Sequence, residues 1–373
     1  MVTALQPTSQ TYVPTLNIES FILPSPPTPT GKPLSIAAKR YTAPGAIQSV
    51  GITLVMFHGL GQHKEQWEPT LEKLFAIHSS SRSNSNLPQI REAWALDWQS
   101  HGESAVLNQN SLQDDAESAP LNLWGIAIAN FLKSNHVAGH RLYGVGYSSG
   151  TVGLLLSTRD SDFDFANKCP YNGIILVEPS MMDEDTWKAS GEDEIQPAFD
   201  MVTNAVKHRR DVWATREAAL KFFMGRFPWN AWDPRIVALF AEHALTSGKD
   251  KEGKPCVVRS CPMIHEALAF QVNLKNTWDA VEQISKLSPR VPIHVVFGET
   301  VDLMPQVIHE CVVDKSKGRN VASITTIPDV GHTIMQEMPD VVATTVSDLL
   351  NKLCSPPVRS LLRLQCAAFC SCS

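Results

Sequence analysis

The chain has 373 residues, of which 43% are hydrophobic and 19% charged, with a formal net charge of -6. This length suits one large domain or two modest ones, and the composition excludes an intrinsically disordered chain. The negative balance, with no Lys/Arg-rich run, argues against nucleic acid as a partner, and no apolar stretch reaches membrane-spanning length.

Residues 1 to 50 are rich in Pro and Thr, with strands expected around Leu16 to Leu23 and Leu34 to Tyr41. The proline-rich segment Pro24 to Pro29 between them reads as a loop, because proline cannot donate to a sheet ladder. Ile52 to Phe57 is apolar and β-branched without alternation, the pattern of a buried parallel strand. Trp67, Leu71, Leu74 and Phe75 recur at helical spacing within an expected helix from Glu65 to Ile77. A strand near Glu92 to Leu96, a polar loop through Asp114 and Asp115, and a helix from Leu121 to Ser134 lead to a strand ending at Gly146. Val152 to Leu156 then continue as a helix, and Gly173 to Val177 form another buried strand.

The next convincing strand, Ile293 to Phe297, follows only after about a hundred residues of largely helical pattern interspersed with Trp213, Trp229 and Trp232. Ser323 to Ile327 reads as a last strand and Met335 to Leu353 as an amphipathic closing helix. Alternation of strands and helices indicates a mostly parallel, doubly wound α/β sheet. The expected division is a core of residues 1–179 and 291–353, a helical lid of residues 180–290, and a tail of residues 354–373 without expected order. Cys354, Cys366, Cys370 and Cys372 crowd that tail without the paired spacing or the nearby His of a metal site, so neither metal nor cofactor is expected.

Gly146-Tyr147-Ser148-Ser149-Gly150 closes a strand and opens a helix. Two glycines permit a turn tight enough to hold Ser148 in a strained conformation with its hydroxyl outward, the geometry of a nucleophile. Ser hydroxyl is a weak nucleophile and needs an imidazole to take its proton. His332, in a turn after the final strand, is placed to do so. The amides of Leu60, in His58-Gly59-Leu60-Gly61, and of Ser149 are the expected oxyanion donors. His58 itself reads as a structural residue of its loop, and His101 as a candidate lining the cleft. Two carboxylates compete to support the imidazole: Glu178, directly after Ile174 to Val177, and Asp302, in the loop after Ile293 to Phe297. Both fall at the carboxyl edge of the sheet, where reactive groups collect.

Together these residues resemble the α/β-hydrolase superfamily from about Leu16 to Leu353, and Asp97 to Ser104 is similar to its Asp…Gly-His-Gly-x-Ser loop. A narrower resemblance, carried by His63 to Pro69 and Arg210 to Ala218, is to fungal serine hydrolases of secondary metabolism, of the toxin-biosynthesis and mycophenolic-pathway acyl-CoA hydrolase types. It implies an acid one strand earlier than the superfamily norm, at Glu178, with Asp302 as the alternative. It also implies ester or thioester hydrolysis of a small hydrophobic acyl substrate, with a non-hydrolytic small-ligand binding protein on the same scaffold, or a C–C bond or lactone hydrolase, as the alternatives. The peroxisomal location of such relatives is not expected here, because Ser371-Cys372-Ser373 lacks the Ser-Lys-Leu type of ending, and the cytosol is the default.

Overall fold

The computed structural model describes residues 12–45, 50–80, 88–112, 116–161, 163, 169–269 and 274–354. Its main sheet has eight strands: β1 (Asn17–Ser25), β2 (Leu34–Thr42), β3 (Ile52–Phe57), β4 (Ile90–Leu96), β5 (Arg141–Tyr147), β6 (Tyr171–Val177), β10 (Ile293–Gly298) and β11 (Ser323–Ile327). Three short strands, β7 (Val212–Trp213), β8 (Leu245–Lys249) and β9 (Pro255–Arg259), form a second sheet. The spatial order β1-β2-β4-β3-β5-β6-β10-β11 is antiparallel across the first two pairings and parallel thereafter. The order reverses at β3, which has β4 on one side and β5 on the other, so a crevice opens at the carboxyl ends of these strands.

All six residues of β3 are buried, as the unbroken apolar run requires of a strand covered on both faces. On one face lie α3 (Leu121–Leu132), α4 (Ser149–Ser157) and α10 (Leu274–Leu287), which bury Trp124, Leu154 and Ile284. The other face carries α1 (Glu68–Ser80) and α13 (Pro339–Cys354), with Leu71 and Val346 in that core. Two short helices, α2 (Gly102–Leu107) and α11 (Gln306–Val312), follow β4 and β10, and a third, α12 (Ile334–Glu337), precedes α13. The single closing helix expected from Met335 to Leu353 is thus divided at Met338, because the residue before a proline is driven out of the helical region, and Pro339 suits the first turn of a new helix. At the other end of the chain, β1 runs two residues into the expected proline loop. It is an edge strand, where Pro24 lacks only an outward donor.

Between β6 and β10 the chain makes the long insertion expected as a lid. It contains α5 (Glu184–Ser190), α6 (Gln196–His208), α7 (Arg216–Met224), α8 (Pro234–His243) and α9 (Met263–Ala267). The insertion is helical for the most part but also carries β7 to β9, in the order β7-β9-β8. Its own core gathers Trp213, Phe223, Trp232 and Phe240. Ala280, Val281, Ile284 and Leu287 of α10 pack into the main core, so that helix belongs with the sheet although it lies before residue 291. Residue Cys354 ends α13, and the remainder of the tail, with the loop residues Asp114 and Asp115, lies outside the described residues.

Candidate functional site

Ser148 sits between β5 and α4 with φ 51° and ψ -126°, a conformation L residues rarely adopt. The turn is closed by bare backbone on both sides. A Cβ on Gly146 would lie 2.8 Å from the Thr151 nitrogen, and one on Gly150 would lie 2.3 Å from the Phe57 carbonyl oxygen. The Gly-x-Ser-x-Gly spacing is therefore a steric requirement here. Ser149 opens α4, so its amide has no acceptor within the helix.

The Ser148 hydroxyl and His332 Nε2 are 2.9 Å apart. His332 hangs from the loop between β11 and α12, and its Nδ1 stands 2.9 Å from Glu178 Oε2. An ionised carboxylate only accepts, so Nδ1–H donates to Glu178 and Nε2 is left to accept the Ser148 hydroxyl proton. Tyr147, the residue before the serine, donates its hydroxyl toward the His332 carbonyl at 2.8 Å and the Gln336 side-chain oxygen at 2.9 Å.

Glu178 leaves β6 with φ 49° and is 1% exposed. Its amide donates to the Val296 carbonyl at 2.8 Å, and its Oε1 accepts from the Gly298 amide at 2.5 Å. Burial pushes the carboxyl up, but the imidazoles of His309 and His332 and the Gly298 amide outweigh it and hold it down at about 2. His332 is the stronger of the two partners, since His309 Nε2 stands 3.6 Å off, beyond hydrogen-bond length. His309, buried and stacked on Phe297, had no signal in the sequence.

Asp302 does not reach the imidazole. Its Oδ1 accepts the backbone amides of His332, at 2.9 Å, and Leu303, at 2.5 Å. It packs so closely on the His332 loop that a Cβ on Gly331 would lie 2.1 Å from Oδ2. The two rival carboxylates thus meet the same histidine at different places, one at the ring and one at the backbone.

Leu60 and Gly59 line the same small cavity as Ser148 and His332, with a volume of about 120 Å³. His58 turns away from it. Its Nε2 accepts from the Trp98 amide at 3.1 Å and its Nδ1 faces the Gly59 carbonyl at 2.8 Å, while burial pushes its pKa down to about 3. It is a neutral strut of the loop. His101 does not line the cavity either, being buried and stacked on Trp98 at 4.7 Å. The Asp97 to Ser104 stretch serves the same loop from below: Asp97 accepts the amides of Lys64 and Glu103, and Lys64 Nζ lies 3.1 Å from Asp97 Oδ2.

The cavity at Ser148 adjoins a larger one of about 540 Å³ lined in large part by the insertion, the two sharing Gln62, Val202, Val206, Glu266, Leu303 and Thr333. Phe227, Trp229, Trp232 and Phe240 give the larger cavity its aromatic wall. Arg209 and Arg259 also line it, and both contact Glu266. Nothing local in the sequence marks these three residues. Among the described residues there is no group of three or more His, Cys, Asp or Glu able to hold a metal ion, and no helix long and apolar enough to cross a membrane.

The model of the alpha/beta hydrolase family matches residues 54–345. Among curated proteins, the chain is similar to the type I acyl-CoA thioesterase mpaH of Penicillium roqueforti, 27% identical over 217 residues. That match covers 56% of this chain and 44% of the relative, so the chain spans less than half of its length. Among solved structures, the peroxisomal alpha-beta-hydrolase Lpx1 of Saccharomyces cerevisiae superposes with a TM-score of 0.69 at 17% identity, covering 95% of this chain and 97% of that one. A thioesterase domain from the curacin biosynthetic pathway superposes with a TM-score of 0.59 at 15% identity, covering 90% and 99%. These structures share the fold.

Proposed function

The chain belongs to the alpha/beta hydrolase family, and on that premise we propose that it is a serine hydrolase cleaving an ester or thioester through an acyl-enzyme. The observation that carries this reading is the continuous chain from Ser148 Oγ through His332 to Glu178, with both links at 2.9 Å. His332 Nε2 takes the Ser148 proton as Oγ attacks the carbonyl carbon, and Glu178 stabilises the imidazolium that forms. The carbonyl oxygen becomes negative against the amides of Leu60 and Ser149, and each such donor contributes on the order of 10² to 10³ in rate. His332 returns the proton to the leaving oxygen or sulfur. Water, deprotonated by the same nitrogen, then releases the acid and restores Ser148.

The substrate class rests on the aromatic cavity and on the relative. A large, mostly apolar cavity joined to the nucleophile suits a hydrophobic acyl group. The similarity to an acyl-CoA thioesterase of Penicillium roqueforti favours a thioester, and the resemblance of His63 to Pro69 and Arg210 to Ala218 to fungal hydrolases of secondary metabolism favours a role there. Ser148→Ala tests the mechanism. It is expected to lose several orders of magnitude in turnover of a p-nitrophenyl ester and to abolish labelling by a fluorophosphonate. Unchanged turnover in the variant rejects the serine mechanism. A wild-type chain that binds hydrophobic acids but never reacts with the probe is a ligand-binding protein on this scaffold.

A further inference from the structure

The lining of the larger cavity is apolar and aromatic but for Gln62, Arg209, Arg259, Glu266, Asp302 and Thr333. Arg259 ends β9 with its side chain only 4% exposed. Its Nη2 reaches the Gly61 carbonyl at 2.9 Å and Glu266 Oε2 at 3.3 Å, and its guanidinium lies 4.4 Å from the centre of the Phe240 ring. The remaining nitrogens, Nε and Nη1, are shielded from solvent and have no hydrogen-bond partner among the described residues. Trp232 also lines the cavity, and its Nε1, likewise shielded, is unpartnered among the described residues. So is Gln62 Oε1, an amide that presents its NH2 instead when its terminal group flips.

Buried donors are satisfied in nearly all folded proteins, and a cation left short of partners is the most costly exception. Arg209 does not share the shortage: it pairs with Glu266 and, through Nε at 2.8 Å, with Asp211. It also keeps Glu266 turned toward itself, so that one carboxylate serves two guanidinium groups. Burial and the neighbouring Arg209 charge push the Arg259 pKa down, against the pull of Glu266. Two donor nitrogens of Arg259, a residue of the cavity lining, are therefore left without an acceptor.

We propose that the cavity lined by Arg259 and Trp232 binds a carboxylate carried by the acyl part of the substrate. This deepens the hydrolase reading and rests on it. Two cations, Arg209 and Arg259, face two carboxylates, Glu266 and Asp211, so the cluster is balanced before the ligand enters. A balanced cluster with one under-used guanidinium suits a single added charge better than a dianionic phosphate. The aromatic wall covers the methylenes between that carboxylate and the scissile carbonyl, and a turn about the terminal bonds of Arg259 brings Nη1 to the ligand.

The test compares mono-p-nitrophenyl esters of dicarboxylic acids, succinate to suberate, with the same compounds capped as methyl esters. Wild-type protein is expected to favour the free acid by about tenfold or more in kcat/KM at one chain length, and Arg259→Gln to bring that ratio to about one. No preference at any length, or one that survives in Arg259→Gln, overturns the proposal. Should Arg259→Gln fail to fold, inhibition of the wild-type protein by hexanoate against hexanamide replaces it, and equal inhibition overturns the proposal. Octanoyl-CoA against the octanoyl thioester of N-acetylcysteamine tests the other source of anion. If Arg259→Gln removes a preference for CoA and leaves the dicarboxylate series unchanged, the charge recognised is a leaving-group phosphate and the acyl assignment falls. Cleavage of neutral esters without charge preference overturns this inference alone. If no ester is cleaved, the hydrolase reading falls, and calorimetry with hexanoate and hexanamide then decides the pocket by itself.

Discussion

Glu178 Oε2 and His332 Nδ1 stand 2.9 Å apart across 154 residues of sequence, the carboxylate at the end of β6 and the imidazole in the loop after β11. The strand β10 lies between those two in the sheet, so the contact bridges over it. Glu178→Gln presents an amide to Nδ1 and no longer selects the tautomer with Nε2 free. A fall in kcat on the order of 10³ to 10⁴ is expected, with KM nearly unchanged. Steady-state kinetics on a p-nitrophenyl ester check it, and a loss below tenfold removes Glu178 from the mechanism.

Asp302→Asn keeps an oxygen able to accept the His332 and Leu303 amides. Less than a tenfold loss of kcat is expected from it. Gly331→Ala is the harsher change, because its Cβ would strike Asp302 Oδ2 and displace the loop that carries the imidazole. Both kcat and Tm should drop in that variant. If Asp302→Asn instead proves as damaging as Glu178→Gln, the ring-facing acid has been misassigned.

Glu68 offers a pH signature independent of turnover. Burial, helped by the nearby Glu65 charge, pushes its carboxyl up to about 7 against the pull of Lys39 and Tyr41. A raised carboxyl binds its proton more tightly in the folded chain. That stability is therefore complete below the unfolded value near 4.5 and disappears as pH rises through about 7. The difference amounts to roughly 3 kcal/mol. Glu68→Gln cannot ionise, so its Tm relative to wild type should be higher at pH 8 than at pH 5. Lys39 retains Glu65 at 3.2 Å in the variant. Equal differences at the two pH values would falsify the shift.

Trp229 and Phe227 form part of the aromatic wall facing the insertion side of the large cavity. Trp229→Ala removes apolar surface that only a long acyl chain would meet. The ratio of kcat/KM for a decanoate to an acetate ester should fall about tenfold, equivalent to about 1.4 kcal/mol. A ratio that does not move places the acyl chain elsewhere.

That Ser148 and His332 meet is foreshadowed in the sequence for physical reasons. Gly146 and Gly150 are there because backbone occupies the space of a side chain, and the histidine loop follows a recognisable last strand. The choice between Glu178 and Asp302 is not legible from position alone. β6 and β10 pair in parallel with Val177 opposite Val296, so both acids emerge at the same sheet edge. What separates them is whether the side chain reaches a ring or a backbone amide, which depends on the conformation of the His332 loop, 154 residues from Glu178 and 30 from Asp302 in sequence. The small sheet of the insertion was hidden for another reason. Leu245 to Lys249 is short and mostly polar, so it carries no usable alternation, and only its pairing with β9 makes it a strand. Arg259 and Glu266, on β9 and α9, have no pattern that foretells their pairing.

The left-handed backbone at Glu178 is followed at once by Pro179, and the next strand of the main sheet begins only at Ile293. The acid therefore occupies the doorstep of the insertion. Had the ring-facing carboxylate been Asp302, the cap could be exchanged as a module, because its attachment points would touch no reacting group. Here the first peptide of any grafted cap sets the dihedral angles that aim Glu178. Chimeras that swap the cap just after residue 178 should lose turnover even toward acetate esters too small to enter it, and moving the junction several residues downstream should restore it.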